Sequence, residues 1–229
     1  MKKKLAILLC GPLALGTLVF GAPAGAEDPV LCGFDPPLPP TIMGAGTING
    51  TSGDDVIVGS EGRDVINGQG GNDVICALGG DDVVHGQNGN DLVLAGLGND
   101  RVSGGNDDDA IIGDEGGLEA GGDDQLDGGN DNDFIVGMVG DDAIQGRNGD
   151  DSLCSGPGDD TVSGGNGNDT LSGAFGSDHL RGDGGDDRLV GDLLIGCQGE
   201  ALEDPEPNVV DVCIAGQGDD TVEFCEKAR

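Results

Sequence analysis

Single aliphatic residues recur along this chain every nine positions. Ile57, Ile66, Ile75, Val84, Val93, Val102 and Ile111 form a first series. After one fifteen-residue step, Leu126, Ile135, Ile144, Leu153, Val162, Leu171, Leu180 and Leu189 continue it. Val222 is a late copy with the same surroundings. A fixed period marks a repeat, and here each repeat is short. Two residues before the aliphatic one stands an Asp. Two residues before that Asp stands Gly in fourteen of sixteen copies, and Asp or Asn immediately precedes it in fourteen. Gly and Asx tolerate positive φ, so the first part of each unit is a tight turn. The three residues after Asp, with an aliphatic centre, form a short strand. The central side chain points inward and its two neighbours outward. One unit cannot bury its aliphatic alone. Stacked units can, so the pattern predicts an all-β solenoid with an inner ladder of Ile, Leu and Val.

Stacking places the acidic anchors above one another. The anchors are Asp55, Asp64, Asp73, Asp82, Asp91, Asp100, Asp109, Asp124, Asp133, Asp142, Asp151, Asp160, Asp169, Asp178 and Asp187, with Asp220 as the outlier. At a strand spacing of about 4.8 Å, bare carboxylates repel one another. A hard divalent cation between them converts repulsion into ligation, and Ca²⁺ suits oxygen ligands on irregular backbone.

The units GGNDVICAL, GQNGNDLVL, GPGDDTVSG and GGNGNDTLSG resemble the hemolysin-type calcium-binding, or RTX, nonapeptide family, whose unit is G-G-x-G-x-D-x-U-x. The resemblance covers residues 47 to 191 and 216 to 222. It implies a right-handed parallel β-roll in which two nonapeptides make one coil. It also implies Ca²⁺ in the turns of both edges, held by the sixth-position Asp and by glycine-turn carbonyls of neighbouring coils. Fifteen main units leave at most about thirteen gaps between same-edge neighbours. Secreted relatives of this kind typically carry a C-terminal export signal and a separate toxin or enzyme domain. This chain shows neither, so no toxin or protease activity carries over.

Two units per coil give two faces. Counting from Asp55, the outward residues of odd units include Val56, Val58, Val74, Cys76, Leu92, Leu94, Ile112, Phe134 and Val136, then Ser152, Thr170, Ser172 and Arg188, so this face is mostly apolar over its N-terminal two-thirds. Even units include Asn67, Val83, His85, Arg101, Ser103, Gln125, Asp127, Gln145, His179 and Arg181, a mostly polar set. The parity holds through the fifteen-residue step if the span from Gly113 to Gly121 carries a six-residue insertion. An apolar face needs a cover. The segment VLCGFDPPLPPTIM would supply one as a lid, and a homodimer or protein partner seated on Val56, Val74, Leu92, Leu94, Ile112, Phe134 and Val136 would supply another. A Cys32–Cys76 bond would favour the lid.

Charge narrows the function classes. The formal charge is −34, with 44 acidic against 10 basic residues, which argues against nucleic acid and anionic membrane surfaces. Trp and Tyr are absent, and 48 glycines rule out a helical domain. The start, MKKKLAILLCGPLALGTLVFGAPAGA, has basic, apolar and small-residue parts in order, as a secretory signal peptide does, with cleavage near Ala26. Its apolar run is short for a membrane span. Cys10 follows the large Leu9, which argues against lipid attachment. These features predict a secreted, extracellular protein. Six cysteines then remain, an even number suited to disulfides, with fifteen possible pairings. Cys213–Cys225 and Cys154–Cys197 are expected pairs. A zinc site lacks a C-x-x-C spacing.

The predicted organisation is a signal peptide over 1–26, an N-terminal segment or lid over 27–46, the roll over 47–191 and a C-terminal cap over 192–229. Thr47-Ile48-Asn49-Gly50 is a degenerate opening coil with Ile48 inward. The acids are near-equivalent copies, whereas catalysis needs groups in distinct environments. No G-x-S-x-G or H-E-x-x-H occurs, and His85 and His179 sit on surface positions, so no enzyme is predicted. The expected role is an exported calcium-binding repeat protein, structural or adhesive, that folds on Ca²⁺ binding. A non-catalytic accessory module of an extracellular hydrolase, an unrecognised extracellular hydrolase and a simple calcium buffer are the alternatives.

Overall fold

The computed structural model describes residues 5–6, 19–20, 40–114, 121–191, 212–218, 220–223 and 227–228. Within these, the chain is an all-β solenoid. Odd units form one ten-stranded parallel sheet and even units another. The odd sheet opens with Ile42–Met43 and Val56–Ser60 and closes with Arg188–Val190 and Thr221–Glu223. The even sheet opens with Thr47–Asn49 and Val65–Gly70 and closes with His179–Gly184, Val212–Gln217 and Lys227–Ala228. Leu5–Ala6 pairs antiparallel with Val19–Phe20.

Register follows the nine-residue period. Val56 pairs Val74 and Val65 pairs Val83, eighteen residues apart, so two units make one coil. Across the long step the register widens by six: Arg101 pairs Gln125 and Ala110 pairs Phe134. The wider step therefore does not shift the stack. At the far end His179 pairs Val212 and Arg188 pairs Thr221, so the late copy around Asp220 continues the ladders. At the near end Ile42 pairs Ile57, so the odd sheet begins within the segment set apart as a possible lid.

The inner ladder runs unbroken from Ile48 to Cys213 through one aliphatic per unit, all almost fully buried. Burying one such side chain contributes about 1.5–3 kcal/mol, so the stacked row is the main source of cohesion. No residue contributes much alone, and no coil has a core without its neighbours.

The outer side of the odd sheet, for which a lid or a partner is the expected cover, is largely buried within the single chain. Val58, Cys76, Leu94 and Ile112 form a second buried cluster, with Val74, Leu78, Leu92 and Met138 packed against it. Val136 and Val190 are buried as well, at 5% and 1% exposure. Part of the cause is local. Leu78 and Met138 sit at turn positions with φ of 81° and 85°, from which their side chains return to this face. The partner surface expected here is thus not an open one: Leu94, Ile112 and Val136 are buried within one chain, and Val56, Val74, Leu92 and Phe134 are half-buried.

Cys76, Cys154 and Cys213 are disulfide-bonded. Their expected partners Cys32, Cys197 and Cys225 lie outside the described residues, as do the signal-peptide cleavage site, residues 27–39 of the lid and the 192–211 stretch of the cap.

Candidate metal centre

Each turn presents its anchor Asp to the interior, and the anchors are buried from Asp55 to Asp187. Their two oxygens do different things. The backbone N–H of Asp55 donates to Oδ1 of Asp73 at 2.8 Å, and that of Asp73 to Oδ1 of Asp91 at 2.8 Å. The same bond joins Asp64 to Asp82, Asp82 to Asp100 and Asp100 to Asp124 on the other edge. It continues through Asp109, Asp133, Asp142, Asp151 and Asp169, and ends with Asp187 donating to Asp220 at 3.0 Å. Each edge therefore carries a continuous relay in which every carboxylate is oriented by the coil before it.

The other oxygen, Oδ2, is left over. In every anchor from Asp73 to Asp169, and in Asp187, it is buried with no hydrogen-bond partner. Asp55 and Asp64 are exceptions. Thr51 donates its N–H and Oγ1 to Oδ2 of Asp55 at 2.7 and 2.8 Å, and Ser60 does the same for Asp64 at 2.7 and 2.9 Å. From Asp73 onward the position of Thr51 and Ser60 is taken by residues such as Gln69, Leu78 and Gln87, whose positive φ points the side chain elsewhere.

The glycine five residues before the anchor makes room for Oδ2. A Cβ built on Gly104 would lie 2.2 Å from Oδ2 of Asp109 and 2.8 Å from the carbonyl oxygen of Gly128, one coil on. On Gly68 the distances are 2.5 Å to Asp73 Oδ2 and 2.7 Å to the Gly86 carbonyl. A carboxylate oxygen of one coil and a backbone carbonyl of the next thus converge on one point. Odd units keep Gly at this place throughout. Even units keep Gly59, Gly113, Gly137 and Gly173 there but also accept Ala77, Ala95 and Ser155.

A buried, unpaired carboxylate oxygen resists ionisation. Burial, reinforced by the neighbouring anchors, pushes Asp73 and Asp82 up to about 6 and Asp91, Asp100 and Asp109 up to about 7. Asp133 and Asp142 reach about 8 and Asp124 about 9, against the opposing pull of the backbone N–H bonds. Asp55 moves the other way, lowered by its bonds from Thr51.

Two further ladders stabilise the turns. The Asx before most anchors accepts from the backbone N–H of the residue at the same place one coil later, as in Asn72 to Asp54 at 2.8 Å and Asp150 to Asn132 at 2.8 Å. Asn88, Asn106, Asn130, Asn148 and Asn166 form an exposed amide ladder, each Nδ2 donating to the previous Oδ1 at 2.8–2.9 Å. Sequence reasoning passed over these asparagines, although their step of eighteen, or 24 across the insertion, was visible. It also passed over Thr51, Ser60 and Asp114. His85 is half-buried and His179 exposed on the even sheet, away from the anchors.

Among the described residues no three His, Cys, Asp or Glu side chains gather as a ligand cage. A cation at these turns would take one carboxylate per unit and complete its shell with backbone oxygens. Calcium accepts such a shell. The orphaned Oδ2 atoms and the converging carbonyls fit it.

The sequence profile of the RTX calcium-binding nonapeptide repeat (4 copies) matches residues 49–84, 85–117, 120–135, 127–162 and 163–193, more than half of the chain. The chain belongs to this family. A search of curated proteins finds no match. As an RTX repeat protein the chain binds calcium, and its buried Asp series lies within the matched segments. Among the described residues no helix is long and apolar enough to cross a membrane.

Proposed function

We propose that this RTX chain is an exported roll that takes up many calcium ions and folds as it does so, serving as a structural or adhesive element outside the cell. The observation that carries this reading is the row of buried Oδ2 atoms without partners. Ion-free, each is a carboxylate that must either stay protonated or stand unpaired. With Ca²⁺ between coils, the same oxygens become ligands. The proposed ligands are the anchors Asp73, Asp82, Asp91, Asp100, Asp109, Asp124, Asp133, Asp142, Asp151, Asp160, Asp169, Asp178, Asp187 and Asp220. At Asp55 and Asp64 hydroxyl donors already serve Oδ2, so these two contribute less. Export through residues 1–26 would deliver the chain to a calcium-rich, oxidising medium suited to its cysteines.

Calcium titration of the purified mature chain, followed by circular dichroism and native mass spectrometry, tests this. The expected result is little strand signal in chelator, a cooperative gain with calcium, and a folded species carrying several ions. A strand-rich chain in excess chelator at neutral pH would refute coupled folding, and a folded species without calcium would refute the site assignment.

A further inference from the structure

One buried carboxylate belongs to no anchor position. Asp114 lies just before the six extra residues, on the even edge, at 2% exposure. Counted within its unit, it occupies the place that Thr51 and Ser60 hold in the first two. There the side chain donates to Oδ2 of the anchor. An ionised Asp has no proton to donate. Oδ2 of the corresponding anchor, Asp124, accordingly has no partner, and neither has Oδ1 of Asp114 itself. Two buried carboxylate oxygens therefore stand unsatisfied in one turn. Asp114 Oδ2 is held by the N–H of Gly122 at 3.3 Å, which orients the group.

The backbone repeats the convergence seen at the anchors. A Cβ on Gly113 would lie 2.3 Å from Asp124 Oδ2 and 2.4 Å from the Gly137 carbonyl. A Cβ on Gly121 would lie 2.5 Å from Asp114 Oδ2 and 1.9 Å from the Val139 carbonyl. The charge of Asp114 bears on Asp100, Asp124 and Asp142, the consecutive anchors of this edge.

The geometry points to a cation site at this turn that differs from the repeat's own: Asp114 and Asp124 supply two carboxylates, with backbone carbonyls such as those of Gly137 and Val139, to one hard divalent cation. It rests on the calcium reading of the edges and adds to it. Affinity for Ca²⁺ rises with the charge of the ligand set, so a two-carboxylate turn fills before its one-carboxylate neighbours.

Stepwise calcium binding to the mature chain, by calorimetry and native mass spectrometry, separates the possibilities. Asp114→Asn keeps the shape and removes the charge. Asp114→Ser recreates the donor found at Ser60 and guards against a folding defect. Asp169→Asn removes an ordinary anchor. The expected result is that both Asp114 variants lose the tightest step, weakened at least about tenfold, while Asp169→Asn loses one ion and retains that step. If the wild type binds calcium and both Asp114 variants keep the tightest step, this proposal is overturned while the calcium reading stands. If the wild type binds none, both are overturned.

Discussion

The backbone N–H of Asp91 donates to Oδ1 of Asp109 at 2.8 Å, one coil further on, while Oδ2 of Asp109 is buried without a partner. One oxygen is thus committed to the fold and the other to whatever cation arrives. Asp109→Asn separates these roles. The amide retains an oxygen for the Asp91 N–H but removes a buried negative charge and a ligand. In chelator at neutral pH the variant should be as stable as the wild type or more so. In saturating calcium it should be less stable by about 1–3 kcal/mol, the cost of a lost charged partner at a buried site. Residual strand signal in chelator and thermal melts in calcium check this, and the same sign in both would refute the division of roles.

Ion-free stability should fall as pH rises, the reverse of the usual carboxylate behaviour. In the unfolded chain these groups ionise near 3.8; in the fold Asp73 and Asp82 lie at about 6, Asp91 and Asp109 at about 7 and Asp124 at about 9. The folded state therefore holds more protons through this interval. Its stability is fully present below the unfolded value and is lost as pH climbs through about 6 to about 9. Calcium displaces those protons, so its uptake should release acid and tighten as pH rises. Strand signal in chelator at pH 4.5 and 8.5, with proton release measured in weakly buffered calcium titrations, checks both signs. Greater ion-free stability at pH 8.5 would contradict the burial of the anchors.

Gly104 is closely confined beside Oδ2 of its anchor, whereas some even units accept Ala77, Ala95 and Ser155 at the matching place. Gly104→Ala would place a Cβ 2.2 Å from Asp109 Oδ2, with the Gly128 carbonyl 2.8 Å away, and neither is a flexible chain end. A cost of about 1–3 kcal/mol is expected, together with the loss of calcium at that turn. Gly62 has nothing within 4 Å of its Cβ position and no positive φ, so Gly62→Ala should be neutral or slightly stabilising. Denaturant midpoints in calcium for the two variants make the comparison.

Much of this was open to reading in the chain. Each copy repeats one physical decision, so Ile57, Ile66 and their successors placed the core, and the step from Asp109 to Asp124 located the insertion. Details that depend on which way one side chain turns were hidden. Thr51 and Ser60 stand where later units, Asp114 apart, have glycine or a left-handed residue, and their backbone brings the hydroxyl onto Asp55 and Asp64. Nothing in the nine-residue pattern marks Asp114 as buried, because it stands beside the irregular step. The outer odd face called for a cover, but alternation, which separates inward from outward, does not reveal that Leu78 and Met138 pack against it.

That covered face yields the last expectation. Leu94 is 1% exposed in a single chain although its strand position faces outward, whereas Leu97, three residues later, is 45% exposed. A carboxylate at position 94 would be buried in an apolar cluster with Cys76, Val58 and Ile112 and without a cation nearby. Leu94→Asp should therefore destabilise the calcium-loaded chain strongly, by several kcal/mol, about what an unpaired buried charge costs. Leu97→Asp should stay within about 0.5 kcal/mol of wild type, as surface changes usually do. Because the burial is within one chain, the loss at position 94 should not depend on protein concentration. Melts over a hundredfold dilution series decide the matter: a Leu94→Asp defect that appears only at high concentration would mean that the cover comes from a second molecule.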